Sequence, residues 1–226
     1  MKKTMKKYNK SNLFFINYFK YIVIFISKFS IIIDLYCTVN SFKYIFYSSK
    51  YSKISLKVKG IGESYILGKK FLGIEYLNEV LINGIRQGTK SIKYLFNRTN
   101  NFVELIWDNG ITICVNMFNG CTNITEIDLS NFDASNVNNM GVMFANCSSL
   151  TLINFSNFDT SQSTNIGTMF SSCTSLTSLD LSSFNTSKIT CIDNLFYNCF
   201  LLTSIDLSNF DTSQVTYMFK MFYNCT

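Results

Sequence analysis

Cys121, Cys147, Cys173, Cys199 and Cys225 stand 26 residues apart, and the sequence around each one repeats with it. In register, four segments read IDLSNFDASNVNNMGVMFANC, INFSNFDTSQSTNIGTMFSSC, LDLSSFNTSKITCIDNLFYNC and IDLSNFDTSQVTYMFKMFYNC. A fixed period of roughly 20–50 residues marks a stack of similar coils, because one unit cannot bury its apolar face alone. Such an array offers repeated surface rather than one singular pocket.

Within one repeat, two periodicities follow each other. The segment around 152–156 alternates apolar and polar residues, as a strand does. Ile166, Phe170 and Cys173 are then spaced by four and three, the spacing of one helix face. Between them lie the phrases FDASN, FDTSQ, FNTSK and FDTSQ, whose Asp, Ser and Thr residues suit a turn and a helix cap. The spacing therefore predicts strands near 127–129, 153–155, 179–181 and 205–207 in one parallel sheet. It predicts helical turns over roughly 137–146, 163–172, 189–198 and 215–224.

The Leu-x-x-Leu-x-Leu core of each repeat places the expected fold in the α/β class. The expectation is a leucine-rich-repeat solenoid with a parallel sheet and short helices over 108–226, about four and a half coils. A small β-rich cap domain over 51–107 precedes it. Short strands there (52–58, which alternates apolar and polar residues, then 79–82, 85–87, 91–96 and 101–107) are separated by Gly and Asn turns, and Asn83-Gly84 is a strong two-residue hairpin signal.

Ahead of that, MKKTMKKYNK is a basic flank to an apolar stretch, Leu13 to Tyr36, interrupted by Lys20, Lys28 and Asp34. Residues 1–37 read as a signal peptide or signal-anchor. Membrane association through this segment stays open, and the rest of the chain is expected to be exported.

Charge is polarised along the chain. Up to residue 120 there are 18 basic and 6 acidic side chains (+12); from 121 onward there are 2 and 8 (−6), summing to the overall +6. The repeats are thus mildly acidic, which argues against nucleic acid as a partner. The absence of His removes the usual general base near neutral pH, and acid–base groups that recur in every coil do not make a singular active site. No enzyme activity and no cofactor are expected.

The five periodic cysteines occupy one equivalent position on the apolar stripe. Stacked coils place equivalent positions about 5 Å apart, within reach of a disulfide, yet in-register stacking aims the Cβ vectors parallel. A structural ladder of buried thiols is the favoured expectation, with disulfides between neighbours as the alternative. A metal site is not expected, since ligands in a row do not converge. Cys191 falls outside this register.

Asp128, Asn154, Asp180 and Asp206 lie between inward strand residues and form the candidate binding face. A second polar row, Asp133, Asp159, Asn185 and Asp211, lies in the turn. Either row has a purely structural alternative as a solvated face or as turn and cap residues. The sequons at Asn97, Asn123, Asn154 and Asn185 are candidate glycosylation sites on an exported chain.

Together, the Leu-x-x-Leu-x-Leu, Asn-Phe-Asp-Thr-Ser and Met-Phe-x-x-Cys phrases resemble the BspA-like leucine-rich-repeat surface proteins over residues 121–226. The resemblance implies a cell-surface or secreted protein used in adhesion, with a protein or glycan ligand on another cell or surface. The alternatives are an intracellular interaction scaffold, or a structural or decoy surface antigen without a dedicated ligand.

Overall fold

The computed structural model describes residues 52–225 apart from Asn109. The leader expected over 1–37 lies outside the described residues, and no helix among those described is long and apolar enough to cross a membrane.

Among the described residues, eight strands occur in chain order: β1 (Ser52–Lys59), β2 (Gly62–Tyr65), β3 (Glu79–Ile82), β4 (Ile85–Arg86), β5 (Lys93–Phe96), β6 (Asn100–Trp107), β7 (Ile124–Asn131) and β8 (Leu152–Asn154). Six of them form one sheet in the order β4-β3-β6-β1-β7-β8, while β2 and β5 pair separately. β3 and β4 are joined by the expected hairpin. Asn83 and Gly84 both have positive φ, 52° and 79°, the conformation a tight I′ turn requires. Alternation builds β1, where Ser52, Ile54, Leu56 and Val58 are buried and Lys57 and Lys59 are exposed.

β1 runs antiparallel to β6 on one side and to β7 on the other. The β-rich segment and the first full coil therefore share a sheet, and the boundary expected at 107/108 is bridged by its central strand. Trp107, buried at that junction, packs edge-on against Phe132 with centroids 5.8 Å apart.

Coils 122–147, 148–173, 174–199 and 200–225 then stack on one another. The phenylalanine column Phe118, Phe144, Phe170, Phe196 and Phe222 stacks nearly face-parallel at 5.4–5.7 Å. Phe155 meets Phe144, Phe170 and Phe184 edge-on from the strand side, so the strand side and the phenylalanine side of each coil close over a common core.

The α/β class and the leucine-rich-repeat solenoid with short helices are not what this chain builds. Among the described residues there is no α-helix, only a short 3-10 turn at Gly73–Tyr76. The sheet is mixed: β7 and β8 are parallel while the other paired strands are antiparallel. Beyond the strands, isolated parallel bridges, Asn139 to Asn165, Asn165 to Cys191 and Cys191 to Tyr217, join successive coils. The segments expected as strands at 179–181 and 205–207 carry no strand pairing.

The reason lies in where the backbone N–H groups go. In coil 122–147, Met143, Ala145 and Cys147 donate three residues back, to Met140, Val142 and Phe144. The intervening Met140, Val142, Phe144 and Asn146 donate to Asn165, Gly167, Met169 and Ser171 of the next coil. An α-helix would spend all of these groups on its own i−4 carbonyls. Left-handed residues at Val142 and Asn146 (φ 62° and 59°) break that ladder, as do Thr168, Ser172, Asn194 and Asn198 at the equivalent places. The four-and-three apolar spacing is met instead by a row of tight turns.

Candidate functional site

The candidate binding face begins on paired strands. Asp128 and Asn154 are register partners in β7 and β8, and Asn154 Nδ2 donates to Asp128 Oδ1 at 3.0 Å. Both are half-buried, whereas Asp180 and Asp206 are exposed. Those two lie beyond the named strands but play the same local part. In all four coils, the side-chain oxygen at this position accepts the N–H two residues on: Ser130, Ser156, Ser182 and Ser208, at 2.8–3.0 Å.

The turn row repeats that geometry. Asp133, Asp159, Asn185 and Asp211 accept from Ser135, Ser161, Ser187 and Ser213 at 2.8–3.1 Å. Side-chain and backbone donation by Ser182 holds the Asp180 carboxyl below the ordinary aspartate range. Backbone and side-chain donation by Ser208 and by Ser213 does the same to Asp206 and Asp211. A carboxylate that accepts such bonds is favoured in its charged form. Asp180, Asp206 and Asp211 thus each lock an Asx-type turn while keeping their charge. A third such row, Asn139 and Asn165 onto Gly141 and Gly167, was not singled out from the sequence. Its signal was the recurring Asn-x-Gly triplet.

This surface continues onto the N-terminal sheet, where charges alternate across strands. Lys53 pairs with Glu104 at 2.9 Å and Lys57 with Glu126 at 2.7 Å, and Arg86 bonds Glu79 across the β3–β4 hairpin. Leu152 stands exposed on β8 beside Asn154. No group of three or more Cys, Asp or Glu side chains among the described residues could hold a metal ion.

All seven cysteines among the described residues carry free thiols. Cys147, Cys173, Cys199 and Cys225 each donate Sγ–H to the carbonyl of Phe118, Phe144, Phe170 and Phe196 at 3.1–3.2 Å. Each of those carbonyls belongs to the preceding coil, so the thiols tie coils together one by one. Burial pushes the Cys147 and Cys173 thiols far up and Cys199 to about 12. Buried, protonated thiols are poor nucleophiles, so the ladder is structural. Cys191 is half-exposed and outside the row.

The sequons fall into two pairs. Asn97 and Asn185 are exposed. Asn123 Nδ2 donates to Ser64 Oγ at 2.6 Å, and Asn154 Nδ2 donates to Asp128. A glycan on either nitrogen would take one of its two hydrogens and have to fit beside a bond that joins neighbouring elements.

The fold and its surfaces define a repeat protein whose coils are bonded in series and expose aligned polar rows. The sequence matches the family described as Mycoplasma protein of unknown function, DUF285, over residues 86–176 and again over 112–226. These matches together span more than half of the chain, which belongs to this family. Their starting points differ by 26 residues, one coil (112 − 86 = 26). No curated protein and no solved structure matches the chain.

Proposed function

We propose that this protein is a binding module of the cell surface or secreted space, and that it meets a protein or glycan ligand through the outward row of its coils. One observation supports the reading most: Asp128, Asn154, Asp180 and Asp206 recur at one outward position, each held in a fixed turn. Their orientation is set before any ligand arrives, which lowers the ordering cost of binding. The resemblance of the repeat phrases to BspA-like surface proteins points the same way.

Screening the full chain against protein and glycan arrays identifies a ligand, and two variants then locate the site. Asp180→Lys reverses charge in the middle of the row and should abolish binding to a basic or cation-bridged ligand. Asn194→Lys changes charge on the turn side, across the core, at a position where the next coil already carries Lys220; it should leave binding intact. Equal loss from both, or from neither, removes the outward row as the site.

A further inference from the structure

The unpaired positive charge of the β-rich segment gathers around one pair of strands. Lys53, Lys57, Arg86 and Lys93 each pair with a carboxylate. Lys59, Lys69, Lys70, Lys90 and Arg98 are exposed, and none of them pairs with a carboxylate among the described residues. All five lie in the segments that lead into or out of β2 and β5. The same stretches carry the three most exposed large apolar side chains of 52–107: Leu95, Leu72 and Ile61, at 76%, 72% and 69%.

Register decides how these groups face. In the β2–β5 ribbon Glu63 stands opposite Leu95 and Tyr65 opposite Lys93, and directly opposed residues share a face. Ser64 and Phe96, on the other face, are buried, so Glu63, Tyr65, Lys93 and Leu95 look outward. Lys69 brings the following loop onto that face, with its Nζ 4.8 Å from the centre of the Tyr65 ring. Glu63, the acid on this face, is held by Lys93 at 2.7 Å.

We infer that the outward face of the β2–β5 ribbon docks on the surface of an anionic lipid bilayer. Charge and apolarity select the occupant together. Residues 59–76 and 90–98 hold six basic and two acidic side chains, while the coils from 121 onward are net acidic. A negative surface therefore draws the ribbon and turns the coils away. Lysines at such a surface meet anionic headgroups, and exposed leucine and isoleucine gain by entering the acyl boundary beneath them. A nucleic acid offers the charge without the apolar phase. Stacking on its bases would need a free aromatic face, whereas the Tyr65 ring lies under Lys69. The contact uses none of residues 1–37 and none of the outward row, and it does not rest on the proposed function.

The test uses the full chain and vesicles of equal parts phosphatidylcholine and phosphatidylglycerol, brominated on the acyl chains to quench tryptophan. Trp107 is the only tryptophan and is fully buried, so the unsubstituted chain gives the background. Leu95→Trp should add emission that these vesicles quench and that brominated phosphatidylcholine alone leaves unchanged. Adding Lys69→Glu and Lys70→Glu should remove that quenching although residues 1–37 are untouched, which separates docking of the ribbon from any hold the leader has on the bilayer. Leu152→Trp, on β8 where the native side chain is 56% exposed, should stay unquenched. Every substituted side chain is exposed, and unchanged far-ultraviolet circular dichroism shows the fold retained. Four results would overturn the inference: equal quenching of Leu95→Trp and Leu152→Trp, quenching that survives both lysine reversals, equal quenching by phosphatidylcholine alone, or no quenching by the anionic vesicles, whether or not DNA or polyglutamate shifts the Leu95→Trp emission.

Discussion

The β-rich segment (52–107) and the coil stack (110–225) solve the same problem with opposite means. In the first, strands distant in sequence pair antiparallel, each partner chosen by its own side chains: Lys53 with Glu104, Asn83 with Asn101, a hairpin with its own turn. In the second, each residue meets its equivalent one period away, and rows of identical chemistry repeat: thiol on carbonyl, phenyl on phenyl, N–H on C=O. A defect in the first is local to one pairing. A defect in the second is felt by both neighbouring coils, because an array is held mainly by its interfaces.

Phe170→Ala should show the largest effect. The ring is fully buried, stacked on Phe144 and Phe196 and met edge-on by Phe155. Removing it should cost about 3–5 kcal/mol, and chemical denaturation should show loss of the whole stack rather than of one coil. An unchanged midpoint would place Phe170 outside the core.

Gly68→Ala probes the seam between the two regions. The added methyl collides with the Asn116 carbonyl and the Asn119 N–H, so destabilisation of about 1–3 kcal/mol is expected. Hydrogen exchange should open first at Met117–Gly120, with the hairpin at 83–84 unaffected.

Val142→Asn works in the opposite direction. Val142 holds φ at 62°, where a β-branched residue is strained, and Asn116 and Asn194 occupy the equivalent positions. Relief should raise stability by about 1 kcal/mol, read as an upward shift of the denaturation midpoint.

The smallest effect concerns acid. The carboxyls of Asp180, Asp206 and Asp211 titrate below their ordinary value because Ser donors favour the charged form. Their contribution is fully present above the unfolded pKa of about 3.9 and is lost as pH falls through the lower folded values. A modest loss of stack stability should therefore appear only below about pH 4. Asp180→Asn, which keeps an acceptor oxygen, should flatten its share of that slope.

The two regions also differed in how legible they were. Period-two alternation marked β1, because an antiparallel strand half-buried on one face writes its geometry directly into side-chain order, while the Gly and Asn turns, Asn83-Gly84 above all, marked out β3, β4, β5 and β6 between them. β2 was missed, since GESY offers little alternation. In the repeats, the 26-residue register correctly aligned the core columns, Phe144 over Phe170 included. The conformation between them was misread, because spacings of four and three suit both a helix and a row of turns. The discriminating signal stood one residue before four of the five periodic cysteines: Gly120, Asn146, Asn198 and Asn224 are types that tolerate left-handed backbone, while Ser172 before Cys173 is not. At Asp128, Asn154, Asp180 and Asp206, the two-residue spacing to the next Ser was the mark of an Asx turn.

The central claim is that each coil gives alternate N–H groups to the next coil instead of to its own helix. Hydrogen-bond couplings measured by NMR on the labelled chain test it directly. The Phe144 amide nitrogen should couple to the carbonyl carbon of Met169, 25 residues ahead, and Phe170 to that of Leu195. Coupling of the Phe144 amide to the Met140 carbonyl, four residues back, would restore the helix and contradict the account.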